Sequence, residues 1–402
     1  MSRRWSWLLM AAAAGLLLWL GRGPRAGLSG VEPTFGQQPY VLAQVERVLQ
    51  AEAQGQAYQV LEARVLEGPW ANWPVRIEYG KYQPASAGLP LRPGDRIWVT
   101  LSQGPNGQVQ AYFVDVARGP QLALLAGLFV LVIVLTSGWK GVRSLLAMAY
   151  SLAVIVYYII PRILAGQDPV WVSISGSVLL LGVTLYFTYG WGWKTHAAVL
   201  SMVLGLALTG LLAWAGVDFT RLRGYGAEEA LFLAQQAPVA LNLRGLLLGG
   251  MIIGALGVLD DLVATQAAAV FELYAAAPHL PLRELMRRAM HIGQDHVAAT
   301  VNTLVLAYAG TALPMLLLFS LGATPWLDLF NYEFVAEEVV RTLVGAIGLI
   351  LTVPITTVVA ALLARQRDQA RHPWLRWLGP WEAGGHAHGH GHAQEEVPHA
   401  PA

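Results

Sequence analysis

Residues 245–277 read GLLLGGMIIGALGVLDDLVATQAAAVFELYAAA, a run that is apolar apart from Asp260, Asp261, Thr265, Gln266, Glu272 and a scattering of small residues. As one straight helix it measures about 50 Å at 1.5 Å per residue, well past the ~30 Å of hydrocarbon in a bilayer. Two arrangements satisfy that length. Either the span ends near Asp261 and a second amphipathic piece lies along the inner membrane surface, or the helix breaks and re-enters the bilayer. Gly245-xxx-Gly249 and Gly250-xxx-Gly254 are both small-residue contact patterns, and Gly257 extends the set.

At about 100° per residue, Thr265 and Glu272 fall within about 40° of Asp261, so the three form one polar stripe on a continuous helix, while Asp260 points about 100° away. An acid at the bilayer core costs several kcal/mol unless it is protonated, paired or wetted, which makes it a functional candidate by default. The plainer alternative is that both aspartates sit at the inner interface and end the helix.

The rest of the chain agrees with a membrane setting. It is 55% hydrophobic and only 13% charged over 402 residues, with a mean hydropathy of +0.48. A formal net charge of +1 removes a general case for nucleic-acid binding. Zero cysteines exclude a disulfide framework, a thiolate metal site and a cysteine nucleophile. Further apolar runs near 121–138, 144–161, 170–189, 197–216, 297–321 and 339–364 bring the expected bundle to about seven helices over 119–364. Met-Ser-Arg-Arg followed by an apolar run has the form of a signal peptide or signal anchor over 1–21. Arg3, Arg4, Lys140, Arg143, Lys194, Arg283, Arg287, Arg288 and the basic tail at 365–376 fall on one side, which the positive-inside rule makes cytoplasmic. Asp168, Asp218, Glu333, Glu337 and Glu338 fall opposite. The expected location is a bacterial cell membrane, with residues 22–118 outside and the C-terminal tail, 365–402, inside.

Residues 22–118 read as a small all-β domain. Tyr40–Val48, Tyr58–Leu66, Val75–Tyr79, Asp95–Leu101 and Val109–Val116 are short, rich in Val, Ile and Tyr, and separated by turn signals such as Leu-Arg-Pro-Gly-Asp at 91–95 and Gly-Pro-Asn-Gly at 104–107. Five strands suit a barrel or sandwich, including an oligonucleotide-binding-type barrel, but the fold implies no ligand. Without a basic patch the domain reads as a contact module for an envelope protein or the wall. The fold class expected is therefore a mainly α-helical, polytopic integral membrane protein carrying an exported all-β domain.

A second polar cluster, His-Ile-Gly-Gln-Asp-His-Val-Ala-Ala-Thr-Val-Asn-Thr, occupies 291–303. His296, Thr300, Thr303, Ala307, Gly310 and Pro314 share one helical face, while Asp295 and Asn302 share another. Packed against the aspartate helix, such hydroxyls and imidazoles are able to bond the carboxylates; as plain interhelical glue they are worth ~1 kcal/mol each. In the last run, Pro354 between Thr352 and Thr356 signals a kink, either a gate or simple shape.

The block Gly-Ala-Leu-Gly-Val-Leu-Asp-Asp (254–261), continuing Leu-Val-Ala-Thr-Gln, resembles a signature of the YibE/F family of bacterial multi-pass membrane proteins. So does His-Ile-Gly-Gln-Asp-His-Val-Ala-Ala-Thr-Val-Asn-Thr-Leu (291–304) with its continuation to Gly310. Family members show Arg where Gln294 stands and Ser where Ala299 stands, which argues against essential roles for those two. The resemblance implies the membrane topology and draws attention to Asp261 and Asn302; it supplies no substrate.

Five of the ten histidines lie within residues 384–399 of the tail, where His386, His388, His390 and His392 alternate with small residues. Such a segment is able to wrap Zn, Ni or Cu through neutral imidazoles, or is a plain disordered tail. No other cofactor is expected. The leading functional expectation is a transporter or permease-like protein in which Asp260, Asp261, Thr265, Gln266, His296, Asn302 and Thr303 form a polar intramembrane site for an ion or small solute. The alternative is a membrane-anchored structural or regulatory envelope component acting through residues 31–117. An enzyme is not expected, because the adjacent aspartates match neither a two-helix protease dyad nor a spaced magnesium site.

Overall fold

The computed structural model describes residues 40–53, 56–68, 70–81, 90–103, 109–237, 239–322 and 325–366. The expected N-terminal anchor, the turn at 104–107 and the histidine-rich tail lie outside the described residues. Two compact units are formed, one ending at Val142 and the other beginning at Arg143.

The first unit holds strands β1 (Val41–Ala53), β2 (Gln56–Val65), β3 (Pro74–Tyr79), β4 (Arg96–Gln103) and β5 (Val109–Val116). They pair antiparallel in the order β3-β2-β1-β4-β5. Alternation sends Val41, Ala43, Val45, Leu61, Ala63, Ile77, Ile97 and Val99 into one core. Register shifts at Val45/Arg47 and at Trp98/Val99 curl the sheet, as bulges do. The Tyr79 and Phe113 rings, 4.7 Å apart, bring β3 and β5 together, so the sheet is a nearly closed barrel. The expected Pro-Gly turn is present: the Asp95 amide donates to the Arg92 carbonyl (3.1 Å) and Gly94 takes φ +96°.

Helix α1 (Gly119–Val154) follows at once and continues through a widened turn at Ile155–Ile159 into α2 (Ile160–Leu164). The run is not straight. Gly138 adopts φ 53°, ψ −133°, and a Cβ on Gly141 would lie 2.6 Å from the Ile133 carbonyl oxygen, eight residues earlier. In a straight helix those residues are about 12 Å apart, so the chain bends sharply there.

The second unit continues with α3 (Pro169–Tyr189), α4 (Trp193–Phe219), α5 (Glu228–Gln236), α6 (Leu243–Ala276), α7 (Leu282–Thr311), α8 (Leu313–Ser320), α9 (Trp326–Leu329) and α10 (Glu333–Arg365). Asp168 caps α3 by accepting from the Val170 and Trp171 amides, with Pro169 opening the helix. Asn242 caps α6 through the Gly245 amide.

Among the described residues five helices are long and apolar enough to cross a membrane, or six if α7 and α8, bent by 61°, form one span. Seven separate spans were expected. The difference lies in residues 119–164, where two expected helices form one run broken only at Gly138. The expected end or break of the aspartate helix is also corrected: α6 runs unbroken to Ala276. α10 likewise continues through Pro354.

The core sits where α6 packs against α3, α4, α7 and α10 and where α4 packs against α10. Glycines set these approaches. A Cβ on Gly205 would lie 2.6 Å from the Thr352 side chain, and one on Gly348 would collide with Thr209, giving reciprocal glycine–threonine contacts between α4 and α10. At one end of this unit, Glu333 accepts from the backbone amides of Arg223, Gly224 and Tyr225, and Glu337 accepts from Gly226. Acidic residues expected to line a loop thus fasten residues 223–226 to α10.

Candidate functional site

The two glycine patterns on α6 have different fates. Gly245 and Gly249 are buried against α3; a Cβ on Gly249 would meet the Ser173 side chain and, at 3.1 Å, the Pro169 carbonyl. Gly250, Gly254 and Gly257 have nothing within 4 Å of their Cβ positions. By helical angle they share a face with Asp261, Thr265 and Glu272, and all six are exposed. The polar stripe expected from the sequence is therefore real, and it continues as an uncovered glycine track. Thr265 turns its hydroxyl back to the Asp261 carbonyl (2.8 Å).

Asp260 lies at the edge of this stripe, half-buried, with Oδ1 enclosed and without a hydrogen-bond partner. Tyr189, at the end of α3, is within electrostatic reach of both aspartates. Close by in the chain, Tyr186 stacks on Trp191 (4.8 Å between centroids) and its hydroxyl is 2.8 Å from His196 Nδ1. This aromatic and histidine group was not picked out from the sequence. Its signal was the density of rings in Tyr-Phe-Thr-Tyr-Gly-Trp-Gly-Trp-Lys-Thr-His at 186–196, placed by a tight turn at Gly190.

Gln266 does not join the aspartates. It is 3% exposed on the far side of α6, and its Nε2 donates to the Ala289 carbonyl of α7 (3.0 Å) and the Thr357 hydroxyl of α10 (2.7 Å). Gly293 makes room for it: a Cβ there would lie 2.9 Å from Gln266 Oε1 and 2.5 Å from Val353. Three helices are tied at one amide. Gln266→Leu removes both hydrogen bonds of this buried amide and is expected to cost about 1–3 kcal/mol, read as a lower midpoint of heat-induced aggregation in detergent; an unchanged midpoint would deny the tie. The hydroxyls of Ser201, Thr209, Thr352, Thr356 and Thr357 bond back to carbonyls four residues earlier in their own helices; Thr357 alone of these five also accepts from Gln266.

The second cluster is only partly brought in. Contacts of Gln266 with Ala289 and Gly293, and a cleft shared by Gly254 and Leu304, set an antiparallel register that puts Asp261 level with His296. His296 is half-buried, with its carbonyl accepting from Thr300. Among the described residues no hydrogen bond or ion pair joins Asp260 or Asp261 to His296, Asn302 or Thr303. Asn302 and Thr303 are exposed, and Asn302 lies on the face of α7 turned away from α6 and α10. The physical reason is that α7 packs through Leu285, Ala289 and Gly293, which places the polar positions outward. The cleft itself, lined by Gly254, Val258, Leu304, Tyr308, Arg341 and Gly345, encloses about 10 Å³, close to the least room a single water needs.

The barrel carries its own surface electrostatics. The Arg64 guanidinium beside Glu46 holds that carboxyl below the usual carboxylate range, and Arg118 does the same for Asp115 at the start of α1.

Residues 125–366, spanning the stripe, the second cluster and all the bundle helices, match the family model described as YibE/F-like protein. No curated protein and no solved structure matches the chain.

Proposed function

The chain belongs to the YibE/F-like protein family, and on that premise we propose that this multi-pass membrane protein is a permease-like transporter that handles an ion or small solute at the α6 stripe. The observation carrying this reading is the uncovered track of Gly250, Gly254, Gly257, Asp261 and Thr265 on a helix long enough to cross the bilayer. Lipid does not solvate a carboxylate, so an outward-facing Asp261 within the span needs water, a proton or a cation. A carboxylate alternating between its protonated and ionised forms couples such a ligand to helix movement. The glycines leave space beside it for a solute or a water file. Asp260, with one oxygen unpartnered, is the second acid of the site; His296, at the same level, is its nearest base on α7. The same proposal gives His386, His388, His390 and His392 of the tail the capture of a metal ion such as Zn, Ni or Cu.

The cysteine-free sequence gives a direct test. Gly257→Cys and Asp261→Cys are expected to react with a charged, membrane-impermeant thiol reagent, while Ala267→Cys, buried on the same helix, does not. Labelling of positions 257 and 261 by a lipid-soluble maleimide alone would remove the aqueous site and the transport reading with it.

The proposed placement is a bacterial cell membrane with the barrel outside and the tail inside. With α7 and α8 taken as one span, it requires that residues 119–164, about 69 Å as one helix, cross twice about Gly138. Reporters fused after residues 118 and 366 are then expected on opposite sides; finding both on one side would mean a single crossing there.

A second reading, an envelope component acting through the barrel, is favoured by exposed rings on neighbouring strands. Tyr40 and Tyr112 are more than half exposed, and strand register sets both beside Thr100, with Trp98 one pleat away. Loss of function on deleting residues 31–117, with the bundle still inserted, would move the weight to this reading.

A further inference from the structure

Residues 222–226, Leu-Arg-Gly-Tyr-Gly, lie between α4 and α5 and present four consecutive backbone amides to two carboxylates on the first turns of α10. Glu333 Oε1 accepts from the amides of Arg223 (2.6 Å), Gly224 (3.0 Å) and Tyr225 (3.4 Å), and its Oε2 accepts from the Arg223 guanidinium (3.2 Å). Glu337 Oε1 accepts from the Gly226 amide (3.0 Å). The segment is a strap across three helices. Gly224, at φ +87°, lies against the Leu243 carbonyl at the start of α6, and a Cβ on Gly226 would lie 2.7 Å from Glu337 Cδ and from Phe334 Cα of α10. Beneath the strap Leu222, 4% exposed, belongs to an apolar cluster with Val217 of α4, Leu247 and Met251 of α6, and Val340 and Val344 of α10.

We propose that this strap is a latch released by protonation of Glu333 and Glu337. An ionised carboxylate makes hydrogen bonds roughly twice as strong as a neutral acceptor does. A protonated carboxyl also carries a hydroxyl that needs an acceptor of its own, and the strap turns only N–H groups toward these two acids. The ionised form therefore holds the strap closed at neutral pH, and the hold is lost as the pH falls through the carboxylate range, about 4 to 5. The other charged groups at this end already have partners or face outward. Glu338 pairs with Arg341 on α10 (3.2 Å) and Asp218 of α4 with Arg244 of α6 (2.7 Å), while Glu228 and Glu229 of α5 are exposed. Release uncovers Leu222 and the cluster below it, and it frees the start of α10 from the segment that binds it to α4 and α6. The latch is independent of the transport reading and stands or falls without it.

Hydrogen–deuterium exchange of the full-length wild-type chain in detergent, corrected for the intrinsic pH dependence of exchange, reads the latch. Arg223 and Tyr225 are exposed, yet peptides covering 222–226 are expected to be protected at pH 7. That protection is expected to fall about tenfold at pH 4, while the buried stretch of α4 around Leu206 and Thr209 keeps its own. Glu333→Gln combined with Glu337→Gln is expected to remove the protection at pH 7 and the pH response with it, whereas Asp218→Asn changes neither. A second reporter does not depend on the glutamine variants. Leu222→Cys is expected to react with 4,4′-dithiodipyridine, relative to the exposed Tyr225→Cys, about tenfold faster at pH 4 than at pH 7. Equal protection at the two pH values, a pH response that survives in the double glutamine variant, or one that disappears in Asp218→Asn would each overturn the proposal. So would a loss shared by the α4 peptides, which would mean that acid unfolds the bundle rather than opening a latch.

Discussion

Asp261→Asn is expected to reduce function to that of an empty vector while the protein still reaches the membrane at its normal level. Asparagine keeps the volume and the hydrogen-bonding capacity of the side chain and removes only its ability to ionise. Asp261 is exposed on α6 beside three glycines with open space above them, so the substitution disturbs no packing and a loss reports the charge. Asp260→Asn is expected to act in the same direction, since its Oδ1 is enclosed and unpartnered and a neutral amide there perturbs the same stripe. Complementation of a deletion strain of the native host, alongside quantified membrane levels, reads the outcome. Normal growth with both variants would leave the stripe without a transport role.

The largest structural effect is expected at Gly348. A Cβ at this position would collide with Thr209, whose Cγ2 lies 2.8 Å away, while Gly205 meets Thr352 in the reciprocal contact. Both glycines serve the α4–α10 interface, so Gly348→Leu must push two central helices apart rather than displace one flexible side chain. Overpacking of this kind costs roughly 1–3 kcal/mol and more when backbones must move; at this size a fall of about 1–4 °C or more in the thermal midpoint follows. Gly345→Leu is the matched control on the same helix, three residues earlier, with nothing within 4 Å. Fluorescence-detected size exclusion after heating compares the two. Equal losses in both variants would mean that added side-chain bulk anywhere on this helix, not the glycine–threonine contact, sets the loss, since leucine raises helix propensity over glycine.

Much of this arrangement was legible in the sequence because it is written in period and composition. Strand β5 coincides with the expected 109–116, and α3 differs from its expected bounds by one residue. The Asp261, Thr265 and Glu272 stripe followed from the helical angle alone. The misplaced residues share a different cause. Gln266 was grouped with the aspartates because it is polar and adjacent, yet its angle on α6 sends it toward α7 and α10, whose positions no local pattern encodes. Asn302 and Thr303 were expected inside because they are polar; α7 instead turns its small residues Ala289 and Gly293 inward, where close approach outweighs polarity. The unbroken length of α6 was hidden for a similar reason. Two aspartates suggested an end to the span, whereas a helix supported on several sides continues past them.

The buried amide of Gln266 has a mechanical meaning. It pins α6, α7 and α10 at one level, while the hydroxyls of Ser201, Thr209, Thr352 and Thr356 bond back within their own helices. Toward its C-terminal end α7 meets the core only through partly buried apolar residues such as Val297, Val301 and Leu304, so loss of this one amide is felt by three helices at once.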